Sequence, residues 1–142
     1  MALDVYADAS VLVALFIPDP FAARARQFVE QARPTILVSD LAGAEFASAI
    51  ARRVRMREVA PGQAQAAFGA FDAWTPFRGA RLETTTTDIA AAERFLRRLD
   101  LNLRTPDALN IAIAQRSGAA LATFDGRMAD AARALGLEVA DA

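Results

Sequence analysis

Apolar residues along this chain alternate between short continuous runs and stripes at helical spacing, and that alternation predicts strands and helices in turn. Leu3 to Ala7 reads as a short buried strand, and Asp8-Ala9-Ser10 leads from it into the helical stripe Val11, Leu12, Leu15 and Phe16. Phe21 to Ala32 sets Phe21, Ala25, Phe28 and Val29 on one face with Arg24, Arg26 and Gln27 turned away, and Pro34 ends that helix. Thr35 to Val38 is a second β-rich run, after which Ser39 or Asp40 caps a long helix striped by Phe46, Ile50 and Val54. Pro61-Gly62 opens another helix, with Ala64, Phe68, Phe71 and Trp74 near one face and Pro76 closing it.

The second half repeats the pattern. Arg81 to Thr85 is a third strand, and Thr87 or Asp88 caps a helix packing Ile89, Ala92, Phe95, Leu96 and Leu99. Thr105-Pro106-Asp107 is a helix start with Thr105 as the cap, and the following Ala108 to Ala114 is apolar nearly all round, which predicts the most buried helix. Ala119 to Thr123 is a fourth strand, Phe124-Asp125-Gly126 its turn, Met128 to Leu135 a last helix, and Leu137 to Ala140 a final strand. Strands alternating with helices imply an α/β fold whose mostly parallel sheet is covered on both faces. The 142 residues make one domain, and neither a linker nor a repeat divides it.

Composition then removes whole classes of chemistry. The chain has no cysteine and no histidine, so Ser-His-Asp triads, thiol nucleophiles, imidazole acid–base pairs and ordinary zinc sites are excluded. All 16 basic residues are arginine, which also excludes a Walker-A lysine and Schiff-base chemistry. A net charge of -1 leaves no global attraction for nucleic acid, so any RNA contact must be local. At 54% hydrophobic the chain is rich for an isolated monomer, which points to a subunit or partner interface. The start lacks a basic secretory signal, and the apolar stretch Val11 to Ile17 is far shorter than the roughly 20 residues of a membrane span, so a cytoplasmic protein is expected.

Carboxylate chemistry remains. In open parallel sheets ligands bind beyond the carboxyl ends of the strands. Asp8 and Asp125 follow strands, Asp107 stands in the first turn of a helix, and Glu45 lies about one turn into another among small residues. Acids sharing one crevice repel one another unless some are protonated or a cation neutralises them. All-oxygen ligation favours Mg²⁺ or Mn²⁺, which acidifies water and orients a phosphodiester for in-line attack. Ser10 and Thr123 are placed to support this set from behind.

Each signal taken singly has a plainer explanation. Asp8 or Asp125 alone is a turn or cap residue, Asp107 alone complements a helix dipole, and Glu45 is either part-exposed or a buried charge in need of a partner. Arg52, Arg53 and Arg55 form a solvated helix end or an RNA-phosphate contact, and Arg104 beside Asp107 is equally two-sided. The Phe68, Phe71, Trp74 stripe reads as core or subunit interface, and Thr84 to Thr87 as strand end and helix cap.

In order, YADASVLVALF, SDLAGAEFASAIARR, LRTPDALNIAIAQRSGA and LATFDGRMADAARALGLEV resemble the successive motifs of PIN-domain ribonucleases, specifically VapC-type toxins of toxin–antitoxin pairs. The resemblance spans nearly the whole chain and implies a three-layer α/β/α fold with a sheet of four to five strands. It carries the family's acidic site onto Asp8, Glu45, Asp107 and Asp125, with Asp8, Asp107 and Asp125 holding Mg²⁺ or Mn²⁺ and Ser10 and Thr123 supporting them. It further implies endonucleolytic cleavage of RNA, tRNA or rRNA, by a homodimer neutralised by a VapB-type antitoxin. Asn110 departs from the pattern, since many relatives carry histidine there. Two alternatives stay open: a non-catalytic RNA- or protein-binding module on the same fold, and a solitary RNA-processing nuclease. A phosphotransfer fold is disfavoured by the absence of lysine and of an Asp-x-Asp motif.

Overall fold

Four short strands pair side by side, all parallel, in the order β3-β2-β1-β4. The computed structural model describes residues 3–142, the side chains of residues 76–80 apart. Its elements run β1 (Asp4–Ala7), α1 (Ala9–Phe16), α2 (Ala22–Ala32), β2 (Thr35–Ser39), α3 (Asp40–Arg55), α4 (Pro61–Arg78), β3 (Gly79–Leu82), α5 (Thr86–Leu96), α6 (Thr105–Ser117), β4 (Ala120–Ala122) and α7 (Gly126–Ala134). The chain moves outward from β1 to β2 and β3, then returns to place β4 on the other side of β1. β1 and β4 therefore flank the point where strand order reverses, the place where open parallel sheets bind ligands.

Side chains alternate across the sheet and so found two cores. Val5, Ala7, Ile36, Val38 and Ala122 face α1 to α4, where Leu12, Phe28, Phe46, Ile50 and Phe71 are buried. Tyr6 and Leu121 face the opposite way, onto Phe95, Ile111, Ile113, Met128 and Ala132 of α5 to α7. The result is a helix–sheet–helix sandwich. The predicted Phe68, Phe71, Trp74 stripe is core: Phe71 is buried, and Phe68 and Trp74 pack against it together with Phe16 and Phe46. α6 buries six residues, Ala108 and Asn110 to Ala114, as its apolar run predicts. No described helix is long and apolar enough to cross a membrane.

Several boundaries differ from expectation for local reasons. The predicted strand Leu137 to Ala140 is reduced to a bridge between Leu121 and Val139, because β4 is three residues long and offers little edge. The third strand lies at Gly79–Leu82 rather than Arg81 to Thr85, and the cap of α5 is Thr85, not Thr87 or Asp88. Asp88 selects Thr85 from the run of threonines by reaching back to its N–H while Thr85 caps Asp88. α4 continues past Pro76 to Arg78; a proline deletes one backbone donor, and here only the last turn lies beyond it. α6 begins at Thr105, with Arg104 rather than Thr105 in the cap position, and Pro106 sits within the first turn.

Candidate functional site

Asp8 leaves the end of β1 and caps α1, accepting the Val11 N–H at 3.2 Å on Oδ1. The same oxygen accepts the Ser10 hydroxyl at 2.6 Å, and Oδ2 accepts the Thr123 hydroxyl at 2.5 Å. Both predicted supporting residues thus touch the first acid. They also fasten the loop after β4: Ser10 Oγ accepts the Phe124 N–H at 2.9 Å and Thr123 Oγ1 the Asp125 N–H at 3.0 Å. Asp8 is 5% exposed, and burial lifts its carboxyl above the usual range, opposed by the bonds from Ser10, Thr123 and Val11.

Asp125 caps α7, its Oδ1 accepting the N–H groups of Arg127 at 3.0 Å and Met128 at 3.3 Å. Asp107 lies in the first turn of α6 and reaches back to the Arg104 N–H at 3.4 Å. Glu45 is half-buried on α3, and its Oε1 accepts the Asn110 side-chain N–H at 2.7 Å. Burial raises the Glu45 carboxyl, the Asn110 bond opposes this, and the charges of Asp8 and Asp107 raise it further. The fold brings Glu45, Asp107 and Asp125 to the wall of one cavity of ≈ 320 Å³, which Arg104 and Arg127 also line. Asp8 stands behind it, linked through Thr123 to Asp125. A larger cavity, ≈ 500 Å³, lies by Leu3 and Ala142 and has Asp141 as its one acid.

A hard divalent cation suits these donors. Each carboxylate offers about four lone pairs, and among the described residues Glu45 Oε2, Asp107 Oδ1 and Asp125 Oδ2 meet no protein donor. Burial raises the carboxyls of both Asp8 and Glu45, and for Glu45 the neighbouring charges of Asp8 and Asp107 add to it. Among the described residues no three acids are already drawn together around one point, so an ion there requires side-chain rotation or intervening water.

The arginines divide. Arg53 is tied to Asp19 at 2.6 Å and to the Pro18 carbonyl at 2.9 Å, joining α3 to the loop before α2. Arg52 and Arg55 are exposed in the last turn of α3, and Arg104 lies at the cavity. Arg127 escaped the sequence reading, and Asn110 entered it only as a departure from the family pattern. Arg127 sits two positions past Asp125, on the same first turn; Asn110 is the single amide in an otherwise apolar helical run, and that mismatch was the available signal.

Residues 5–134 match the family model described as the PIN domain. Over 138 residues, covering 95% of each chain, the sequence is 30% identical to Ribonuclease VapC46 of Mycobacterium tuberculosis. The fold is similar to that of VapC20 of M. tuberculosis, a sarcin-ricin loop cleaving toxin, with a TM-score of 0.72 and 20% identity over 89% of this chain and 94% of that one. DNA-bound VapBC of Salmonella typhimurium gives a TM-score of 0.69 at 13% identity, covering 97% of each chain.

Proposed function

We propose a function from one premise: the chain belongs to the PIN-domain family, and within it to the VapC-type ribonucleases. On this reading it is a metal-dependent endoribonuclease, the toxin of a type II toxin–antitoxin pair, hydrolysing phosphodiester bonds of tRNA or rRNA. The observation that carries it is the convergence of Glu45, Asp107 and Asp125 on one cavity, with Asp8 fixed behind them, in a chain without histidine or cysteine. The VapBC assemblies among its structural neighbours support a VapB-type antitoxin as partner.

Asp8, Asp107 and Asp125 would hold Mg²⁺ or Mn²⁺, directly or through water. When bound, the ion offsets the phosphate charge and lowers the pKa of water. Glu45, whose affinity for a proton is lifted by burial, orients the attacking water and takes its proton. Arg104 and Arg127 approach the phosphate from the cavity wall. Ser10 and Thr123 keep Asp8 and the Asp125 loop in register.

The test is cleavage of a total tRNA and rRNA pool with Mg²⁺ or Mn²⁺, with chelator, and by Asp8→Asn. Cleavage that needs the ion and is lost in the variant is expected. Cleavage indifferent to both changes would overturn the mechanism.

A further inference from the structure

A second chain of polar groups reaches the acids, this time from inside the core. Tyr6 of β1, Ser39 at the end of β2 and Asn110 of α6 are 0%, 0% and 1% exposed, so each polar group must be hydrogen-bonded or pay several kcal/mol in desolvation. All are satisfied, and the order of donors is fixed. Tyr6 Oη has a single proton and gives it to Asn110, so Ser39 Oγ, which accepts the Ala42 N–H at 2.9 Å, donates its own proton to Tyr6 Oη at 2.6 Å. Tyr6 in turn donates to Asn110 Oδ1 at 2.5 Å. With its carbonyl oxygen engaged, Asn110 presents both Nδ2 protons elsewhere, one to Glu45 Oε1 at 2.7 Å and one to the Pro106 carbonyl at 2.9 Å. A flipped amide would set its oxygen against two other oxygens.

The two acceptors belong to the two helices that matter. Ser39 caps α3, which carries Glu45, and Pro106 immediately precedes Asp107 in the first turn of α6. One side-chain amide therefore ties an acid on α3 to the backbone beside an acid on α6. Leucine, with the same branching and number of side-chain heavy atoms, would need no polar partners here. The amide instead spends a donor on a half-buried carboxylate that lines the cavity.

We propose that Asn110, held in one orientation by Tyr6 and Ser39, is a positioning residue that fixes Glu45 and the α6 turn bearing Asp107. The inference rests on the ribonuclease reading above. Glu45 Oε1 is engaged by the protein so that Oε2 is the oxygen left for the reaction. Tyr6 and Ser39 act at one remove, by denying Asn110 any other orientation.

The experiment compares the wild type with Asn110→Leu, Tyr6→Phe, Glu45→Gln and the Asn110→Leu/Glu45→Gln double variant, reading kcat and KM on a fluorogenic single-stranded RNA and the Mn²⁺ affinity of the metal-free protein by calorimetry. Asn110→Leu should lower kcat and Mn²⁺ affinity by about 10- to 100-fold, with KM little changed. In the Glu45→Gln background it should cost less in kcat than in the wild type, because the part of its effect that passes through Glu45 is already gone. Tyr6→Phe should move both readings the same way by less. A folded Asn110→Leu with wild-type kcat and Mn²⁺ affinity overturns the inference, as does an undiminished loss in the Glu45→Gln background. Should Asn110→Leu fail to fold, wild-type values in Tyr6→Phe overturn it instead. A wild-type protein that neither binds Mn²⁺ nor cleaves RNA overturns the ribonuclease reading and this inference with it. A competent wild type beside an equally competent Asn110→Leu overturns the inference alone.

Discussion

The hydroxyl of Thr123 donates to Asp8 Oδ2 at 2.5 Å while accepting the backbone N–H of Asp125 at 3.0 Å, so one oxygen couples two acids 117 positions apart in the chain. Thr123→Val preserves shape and removes both bonds. The variant should lose about 1–3 kcal/mol of stability, the cost of stranding a buried acceptor, and about 10- to 100-fold in RNA cleavage. Denaturant unfolding and a cleavage assay check the two halves separately; a variant as stable as the wild type would show that Asp8 is held by its other partners alone.

Protonation should govern stability with a defined sign. Burial raises the carboxyls of Asp8 and Glu45, so each folded group retains a proton that the unfolded chain has released. Stability contributed by these groups is therefore full below the unfolded value, about 4, and is lost as pH rises through the raised folded values. Asp8→Asn cannot ionise and escapes its share of that loss. Unfolding free energies measured across this range should show the variant gaining on the wild type as pH increases, and a constant difference would contradict the assignment.

Divalent ions should act as a stabiliser of the metal-free fold. At one hundred times its dissociation constant, Mn²⁺ should add about 2.7 kcal/mol to unfolding, and the gain should shrink at low pH, where the acids hold protons instead. Thermal melts of Asp107→Asn and Asp125→Asn check this: each should lose most of the gain, and a full gain in both would place the ion elsewhere.

At the other end of α6 from Asp107, Arg116 grips Asp88 of α5 at 2.8 and 3.0 Å and also reaches the Glu83 carbonyl. The Asp88 side chain is 1% exposed; burial works against its charge, but Arg116 and the Thr85 bonds prevail and hold the carboxyl below its usual range. Arg116→Leu strands that charge and should cost about 3 kcal/mol, the lower end for a broken buried pair because Arg116 itself is partly in water. Asp88 stability runs opposite to that of Asp8: present above the unfolded value and lost as pH falls through the lowered one. An equally stable Arg116→Leu would mean that the Thr85 bonds suffice.

The sequence announced those parts of the site that depend on local punctuation. Asp8 and Asp125 cap helices that follow strands directly, so a strand, an acid and a helical stripe in succession located both. Ser10 and Thr123 were visible for the same reason, lying two residues from those acids. What stayed hidden depends on partners remote in sequence. Tyr6 and Asn110 are separated by 104 positions, and nothing near either residue encodes their bond. The cap of α5 was missed because four consecutive threonines each satisfy the local rule, and only the reach of Asp88 back to Thr85 decides among them. The last strand failed for want of a partner long enough to pair with it, a property of β4 rather than of Leu137 to Ala140.

Because β4 joins the sheet beside β1 after every other strand, Asp8 and Asp125 meet only once β2, β3 and the helices between them have been made. A ribosome that has translated as far as α6 has made Asp8, Glu45 and Asp107 but not Asp125, which stands at position 125 of 142. If the acids act together as proposed, a polypeptide that stops short of Asp125 cannot assemble them.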